Sequence, residues 1–539
     1  MAEKFNRATL TRNFLKTITK IKNPDEMLAE AKAEGLEKTL GVVDLIILGV
    51  GAIIGSGIFA VVGIAAAGNA DGSIIGAGPA LIISMIVAAI ACVFSALCYS
   101  EFATMIPVAG GAYTYTFATL GEFAAWMVGW VLMLEYAIGF IAVACAWSNH
   151  FVQFLSGFEK VLPAWLAHPP VWLVNDAFSA GKIVADNHDV FVPHIFGMPV
   201  CINLPAIVIV LLITMILVRG TKDSTKMAGI MVFVKLAVIA LFVLAGAFFV
   251  RPENWTPFAP NGAEGIFAGA FLIFFAYIGF DALATAAEEC KNPQKDLPIG
   301  IIGSLIITTI VYVSVALVLT GIQDTSAAVP LEFLKAPMAY CMSLHKMNWA
   351  AGLISIGSLA GLTSVLLVLE MAATRILYAM SRDHFISQRF QKLHPKFKTP
   401  ALLTWTVGIL AIVGILTLNL DVAAELCNYG TFTSFIIVCV AVLILRKTDP
   451  ERPRPFRVPF SPVVPSLGIL CCGGLMIYKS MQPSGSALLF PVWLGIGAII
   501  YLLYGFVKNR INETNTILYR NTLCAGICIL FAGGRTGGG

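Results

Sequence analysis

A lysine and three carboxylates stand inside stretches that are otherwise apolar, and theirs are the side chains most able to do chemistry. Lys235 lies nine residues beyond Lys226, which on a helix is about 13.5 Å. That is near the centre of a hydrocarbon core about 30 Å thick. An ammonium cannot easily snorkel to water from there, so it needs an internal partner or must be neutral. Two roles fit: a site that loads and releases a proton, or a charged pin tied to carbonyl oxygens. Glu135 sits in the middle of the third apolar stretch, Glu370 in the inner half of the eighth, and Asp281 in the sixth. A carboxylate at a binding site would select cationic side chains, whereas a protonated one would only fill space. Glu370 and Arg375 are five residues apart, about 140° around a helix, and so do not pair along one face.

Backbone breakers accompany these charges. The first apolar stretch reads GVGAIIGSGIF, with Gly49, Gly51, Gly55 and Gly57 close together. The sixth reads FFAYIGFDALATAAEE, with Gly279 and Asp281 after an aromatic cluster. Each glycine costs a helix about 0.5–1 kcal/mol relative to alanine, and a broken helix at membrane depth is tolerated only where it lines a cavity. If stretches 1–5 and 6–10 are two copies of one unit, these two interruptions occupy matching positions, which points to a solute site at the bilayer midplane. Unwinding at Gly55-Ser56-Gly57 would expose N–H groups suited to a carboxylate. Unwinding near Phe275-Ala276-Tyr277-Ile278 would expose carbonyls suited to an ammonium. Together they would recognise an α-amino acid. The competing reading is that the glycines only permit close helix packing.

The elements that must position these residues are membrane helices. Of 539 residues, 58% are hydrophobic and 12% charged, and the mean hydropathy is +0.85. Soluble domains run at about 45–50% apolar and about 25% charged, so a string of soluble domains is excluded. The net charge of +4 gives no reason to expect nucleic acid. Twelve apolar runs can span a bilayer, at roughly 43–67, 79–106, 122–148, 203–219, 227–250, 265–287, 299–321, 349–380, 402–419, 422–445, 463–481 and 487–507. With the N-terminus inside, 27 of 35 Lys and Arg fall in cytoplasmic segments and six in outer ones. That bias fixes the orientation, with both termini cytoplasmic. No cleaved leader is expected ahead of the first run. Residues 5–21 have the pattern of a basic amphipathic helix on the inner leaflet, or equally of a solvated basic arm. The twelve cysteines contain no CxxC pair and read as packing residues; a Cys201–Cys341 bridge is a minor alternative. The outer loop 149–202 carries His168, His188 and His194 without metal-ligand spacing.

Five motifs carry a family resemblance. GVGAIIGSGIF (Gly49–Phe59), IPVAGGAYTY (Ile106–Tyr115), FFAYIGFDALATAAEECKNPQKDLPIGI (Phe274–Ile301), YAMSRD (Tyr378–Asp383) and PFRVPFSPVVP (Pro455–Pro465) resemble the amino acid–polyamine–organocation superfamily, in particular bacterial relatives of the cationic amino acid transporters. The resemblance spans about residues 36–510. It implies an all-α polytopic fold of the leucine-transporter type, a 5+5 inverted repeat followed by two helices, with 12 transmembrane helices. The chain would divide into a cytoplasmic segment 1–42, a first repeat 43–250, a second repeat 251–445, two further helices in 446–507 and a tail 508–539. By position, the substrate carboxylate would meet the backbone around Ile53, Ile54, Gly55, Ser56 and Gly57, and the amino group the carbonyls of Phe275, Ala276 and Ile278, with Phe275 also a gate. Lys235 would stand in place of a sodium ion and couple transport to protons. Glu135 matches a carboxylate of the cationic branch. Glu370 departs from the pattern and leaves side-chain selectivity open between cationic and small neutral substrates.

The resulting expectation is a plasma-membrane transporter, not an enzyme, that takes up cationic or small neutral L-amino acids (arginine, lysine, ornithine or alanine-like) with H+ as coupling ion. It expects no cofactor, no metal and no nucleic acid, with membrane lipid and a small accessory membrane protein as candidate partners. Exchange of one amino acid for another, and a non-transporting sensor, are the alternatives.

Overall fold

The computed structural model describes residues 19–34, 38, 40–69, 74–159, 162–175, 180, 191–195, 198–199, 201–418, 420–482 and 487–503. The expected amphipathic helix over 5–21 lies outside them except at 19–21, and the tail 508–539, His188, Cys524 and Cys528 lie outside entirely. After α1 (Pro24–Glu34), the chain enters a bundle through α2 (Val42–Ile53) and α3 (Gly57–Ala67), a pair bent by 41° that makes one broken span. Then follow α4 (Leu81–Met105), α5 (Ala112–Phe117), α6 (Glu122–Ser156), α7 (Leu204–Arg219) and α8 (Thr221–Gly246). The second half holds α9 (Gly262–Tyr277), α10 (Ala282–Thr285), α11 (Pro293–Ile322), α12 (Pro337–Leu344), α13 (Asn348–Arg382), α14 (Ala401–Thr417) and α15 (Leu420–Thr448). It closes with α16 (Val463–Ser480) and α17 (Ala487–Leu503).

Among the described residues, eight helices are long and apolar enough to cross a membrane, nine with the bent pair, and α7, α14 and α17 are shorter apolar helices. This is a multi-pass membrane protein. Among the described residues, the strands are a two-stranded antiparallel ladder, β1 (His194–Ile195) with β2 (Met198–Pro199), inside loop 149–202.

Helix faces sort by what they touch. On α4, Ile83, Ile86 and Ile90 point outward, while Ser84, Ala88, Cys92 and Ser95 are buried. Without a hydrophobic drive between helices in lipid, small inward residues let backbones approach and gain packing contacts. Helices α4 and α11 pack together with α2 and α9, and α13 lies against α6 and α8. The buried thiol of Cys341 is free, so it does not pair with Cys201. Two π-helical segments, Gly57–Val61 and Leu134–Ile138, interrupt the regular pattern; such bulges recur at functional sites.

Candidate functional site

Helix α2 ends at Ile53, and Ile54 is extended (φ −75°, ψ 102°). The last-turn carbonyls of a helix have no partner in it, and they carry the negative end of its dipole. Lys235, wholly buried on α8, meets them: its Nζ donates to the Gly51 carbonyl at 2.8 Å, the Ile54 carbonyl at 2.6 Å and Ser364 Oγ at 2.9 Å. Three acceptors match the three N–H groups of an ammonium. The lysine is therefore tied to carbonyls at the first break.

The second break comes slightly later than the sequence predicts. Helix α9 continues to Tyr277, so Phe275 and Ala276 are still helical; Ile278 is extended and Gly279 has φ +123°. The aromatic cluster does not end the helix, because a helix can continue until a residue must adopt a positive φ. Tyr312 Oη, from α11, lies 2.9 Å from the Ile53 carbonyl and 2.7 Å from the Ala276 carbonyl, donating its one proton between the ends of both half-helices. The breaks also pack on each other. A Cβ on Gly57 would collide with Ala276, and one on Gly279 would stand 2.9 Å from Ala52 Cβ. Both glycine readings thus hold at once: these residues permit the break and the close approach.

Between the breaks is a tight cavity, with space for about one or two waters. Gly55, Ser56 and Gly57 line one side, at the N-terminal end of α3, where a helix leaves its first N–H groups without partners inside it. Phe275 and Ile278 line the other, at the C-terminal end of α9. The remaining wall includes Ile53, Val143, Val365, Leu369 and Cys427, and no lining side chain is a carboxylate or a base. An anion suits the first end and a cation the second.

A sequence model described as amino acid permease matches residues 40–531. The chain belongs to the amino acid permease family. It is 41% identical over 497 residues to the methylthioribose transporter of Bacillus subtilis (strain 168), covering 91% of this chain and 99% of that one. It is 42% identical over 490 residues to the branched-chain amino acid permease BcaP of the same organism, covering 91% and 97%. Cationic amino acid transporter 9, chloroplastic, of Arabidopsis thaliana is 33% identical over 472 residues, covering 86% and 77%. The family is one of transporters, so this permease moves an amino acid or a related solute and is not an enzyme.

Not every expected residue of the permease reaches the cavity. Ile53, Gly55, Ser56, Gly57, Phe275 and Ile278 line it. Ile54 and Ala276 do not, and their carbonyls are engaged by Lys235 and Tyr312. Glu135 lies in the π-helical segment of α6, where its Oε2 accepts from Ser434 Oγ at 3.1 Å and its backbone carbonyl from Cys427 Sγ at 3.1 Å. Its carboxyl neighbours that of Asp281, which accepts from the Tyr136 hydroxyl and, at 3.2 Å, from the Gly279 N–H. This cluster stands behind the cavity wall. Glu370 points elsewhere, toward α7, where Thr214 Oγ1 donates to its Oε1 at 2.7 Å. Arg375 pairs with Glu289 at 2.5 Å, and not with Glu370, as the five-residue spacing predicts. Sequence reading passed over Tyr312, Ser364 and Tyr136, because an uncharged hydroxyl in an apolar run gives little signal.

Ion pairs and close packing draw the helices together at both ends of the bundle. At the basic end, Arg375–Glu289 is joined by Arg382–Glu288 at 3.3 Å and Lys22–Asp383 at 2.6 Å, and Glu288 Oε1 accepts the Ala109 N–H at 2.8 Å. At the opposite end, α3 is packed so closely that a Cβ on Gly63 would lie 2.9 Å from the Phe333 carbonyl and 3.3 Å from Pro337. Phe275 retains only 9% exposure.

Proposed function

We propose that this permease takes up a neutral amino acid with an apolar side chain of the branched type, driven by inward protons, across the bacterial plasma membrane. The observation that carries this reading is the cavity itself: a helix N-terminus faces a helix C-terminus across walls that are apolar. The two backbone ends suit the carboxylate and ammonium of an amino acid, and the walls suit a hydrocarbon side chain. A cationic side chain would need a carboxylate at the wall, and Glu135 and Glu370 stand away from it. Small neutral substrates fit the same backbone ends.

Twelve spans, with a 5+5 inverted repeat over 43–250 and 251–445 and two helices in 446–507, account for the eight long helices, the broken pair and the three shorter ones. The basic end, rich in Lys and Arg, is the cytoplasmic one, and both termini lie there. Lys235 is the coupling residue. Its ammonium stabilises the end of α2 in the closed form, and a change in proton affinity when α2 and α3 move apart would couple proton movement to alternating access.

Uptake into proteoliposomes of labelled isoleucine, alanine and arginine under imposed proton or sodium gradients tests this. The expected order is isoleucine first and arginine last, driven by protons alone, with that dependence lost in Lys235→Ala. Sodium-driven uptake, or unchanged proton-driven uptake in Lys235→Ala, would overturn the coupling; uptake only into vesicles preloaded with amino acid would mean exchange. Identity to the methylthioribose transporter is nearly as high as to the branched-chain permease, so labelled methylthioribose belongs in the panel. Preference for it over isoleucine would refute the amino acid reading.

A further inference from the structure

We propose that a second cavity, on the outer side of Lys235, is the port through which protons reach that lysine, and that His150 is the group that receives them. This rests on the proton-coupled reading above.

The cavity is small and is walled by Phe59 of α3, His150 of α6, Met338 of α12, and Ser355 and Ser358 of α13. Its free space is on the order of what a single water needs. His150 is 5% exposed. Its Nδ1 lies 3.0 Å from the Ala146 carbonyl; a carbonyl only accepts, so Nδ1 carries the hydrogen and Nε2 of the neutral ring is a bare lone pair. Among the described residues, Nε2 has no hydrogen-bond partner. A buried polar atom left so is costly and calls for a role. The backbone of Phe59 also lies beside the ring.

A track leads inward from this cavity. Ser355, Ser358, Gly361 and Ser364 recur every three residues along α13, a row that winds about half a turn around the helix over its length. The first two wall the cavity, and the last bonds Lys235 Nζ. Between them, a Cβ on Gly361 would stand 2.8 Å from the Phe59 ring and 3.4 Å from Lys235 Cδ. The track is about 13.5 Å long, and the ring of Phe59 is its partition. Phe59 belongs to the π-helical start of α3, so movement of that half-helix would open the partition. No other ionisable side chain faces His150 from the cavity's lining on α3, α12 or α13; Lys235 of α8 lies behind Phe59. A proton from outer water would bind Nε2, leave by the same nitrogen because Nδ1–H stays on Ala146, and pass through water to the amine of Lys235 when that amine has given up its own proton. One proton enters and one leaves, and the ring is regenerated.

The test uses the full-length permease in proteoliposomes, with His150→Phe and His150→Gln side by side so that one poorly folding variant does not decide the result. Gradient-driven uptake of labelled isoleucine is measured across a range of external pH, and counterflow at equal pH on both sides. Proton transfer by a positioned side chain contributes about 10²–10⁴-fold, and water can replace part of that. The expected result is therefore about a tenfold slower gradient-driven uptake with a flattened external-pH profile and unchanged counterflow, in both variants. An unaltered pH profile in both variants overturns the proposal, as does equal loss of counterflow and driven uptake in both, which would make His150 part of the gate. Wild-type uptake that ignores the proton gradient while counterflow persists would instead remove the coupling reading on which the proposal stands.

Discussion

The hydroxyl of Tyr312 has one proton to share between the Ile53 and Ala276 carbonyls. Tyr312→Phe would leave those two buried carbonyls at the ends of α2 and α9 without it, at a cost of about 1–3 kcal/mol for acceptors left unpaired. We expect that variant to fold, with a melting temperature lower by a few degrees, and to transport several-fold more slowly because the half-helices no longer move as a pair. Thermal melts beside counterflow measure both, and full-rate counterflow would deny Tyr312 this role. Its importance was illegible in the sequence for a physical reason. Hydroxyls in membrane helices commonly bond their own backbone a turn earlier, as Thr309 does with the Leu305 carbonyl at 2.8 Å. Nothing local distinguishes the one that reaches across to other helices. Lys235 was legible because a charge in hydrocarbon must have a partner.

At the scale of elements, the two broken helices depend on each other. Gly57→Ala would force its new methyl into Ala276, separating α3 from α9. We expect the variant to reach the membrane but to lose at least about tenfold in uptake, the scale set by a misplacement of about 1 Å at a working site. Near wild-type uptake in Gly57→Ala would show that the contact is dispensable. The ion pairs at the basic end act on the same helices from outside the site. Arg375 and Glu289 are 13% and 12% exposed, so Glu289→Gln removes a partly desolvated pair and should favour opening at that end. Cys427 lines the cavity as a buried free thiol and reports this directly. In Glu289→Gln it should react faster with a thiol reagent supplied from the cytoplasmic side, and substrate should slow that reaction. Equal rates in the variant and the wild type would argue against a gate there.

At the scale of the whole molecule, the arrangement of spans follows from charge and hydropathy. The orientation predicts that a tag at the N-terminus is protected from protease in right-side-out vesicles and cleaved in inverted ones; the reverse pattern would invert every statement about inside and outside. Much of this could be read from sequence by itself: a membrane bundle, roughly where two helices break, a lysine within an apolar run and the family. Each depends on local composition, because apolar runs must bury in lipid, glycines weaken a helix where they stand, and a charge in hydrocarbon stands out. Only the tertiary structure decided which side chains share a wall. It turned Glu370 toward Thr214 and set Glu135 beside Asp281 and Ser434. It left the cavity between the breaks lined by apolar residues from helices far apart in the chain. Those placements depend on how each helix is rotated against its neighbours, and in lipid that rotation is set by packing between surfaces distant in sequence, which no local pattern records.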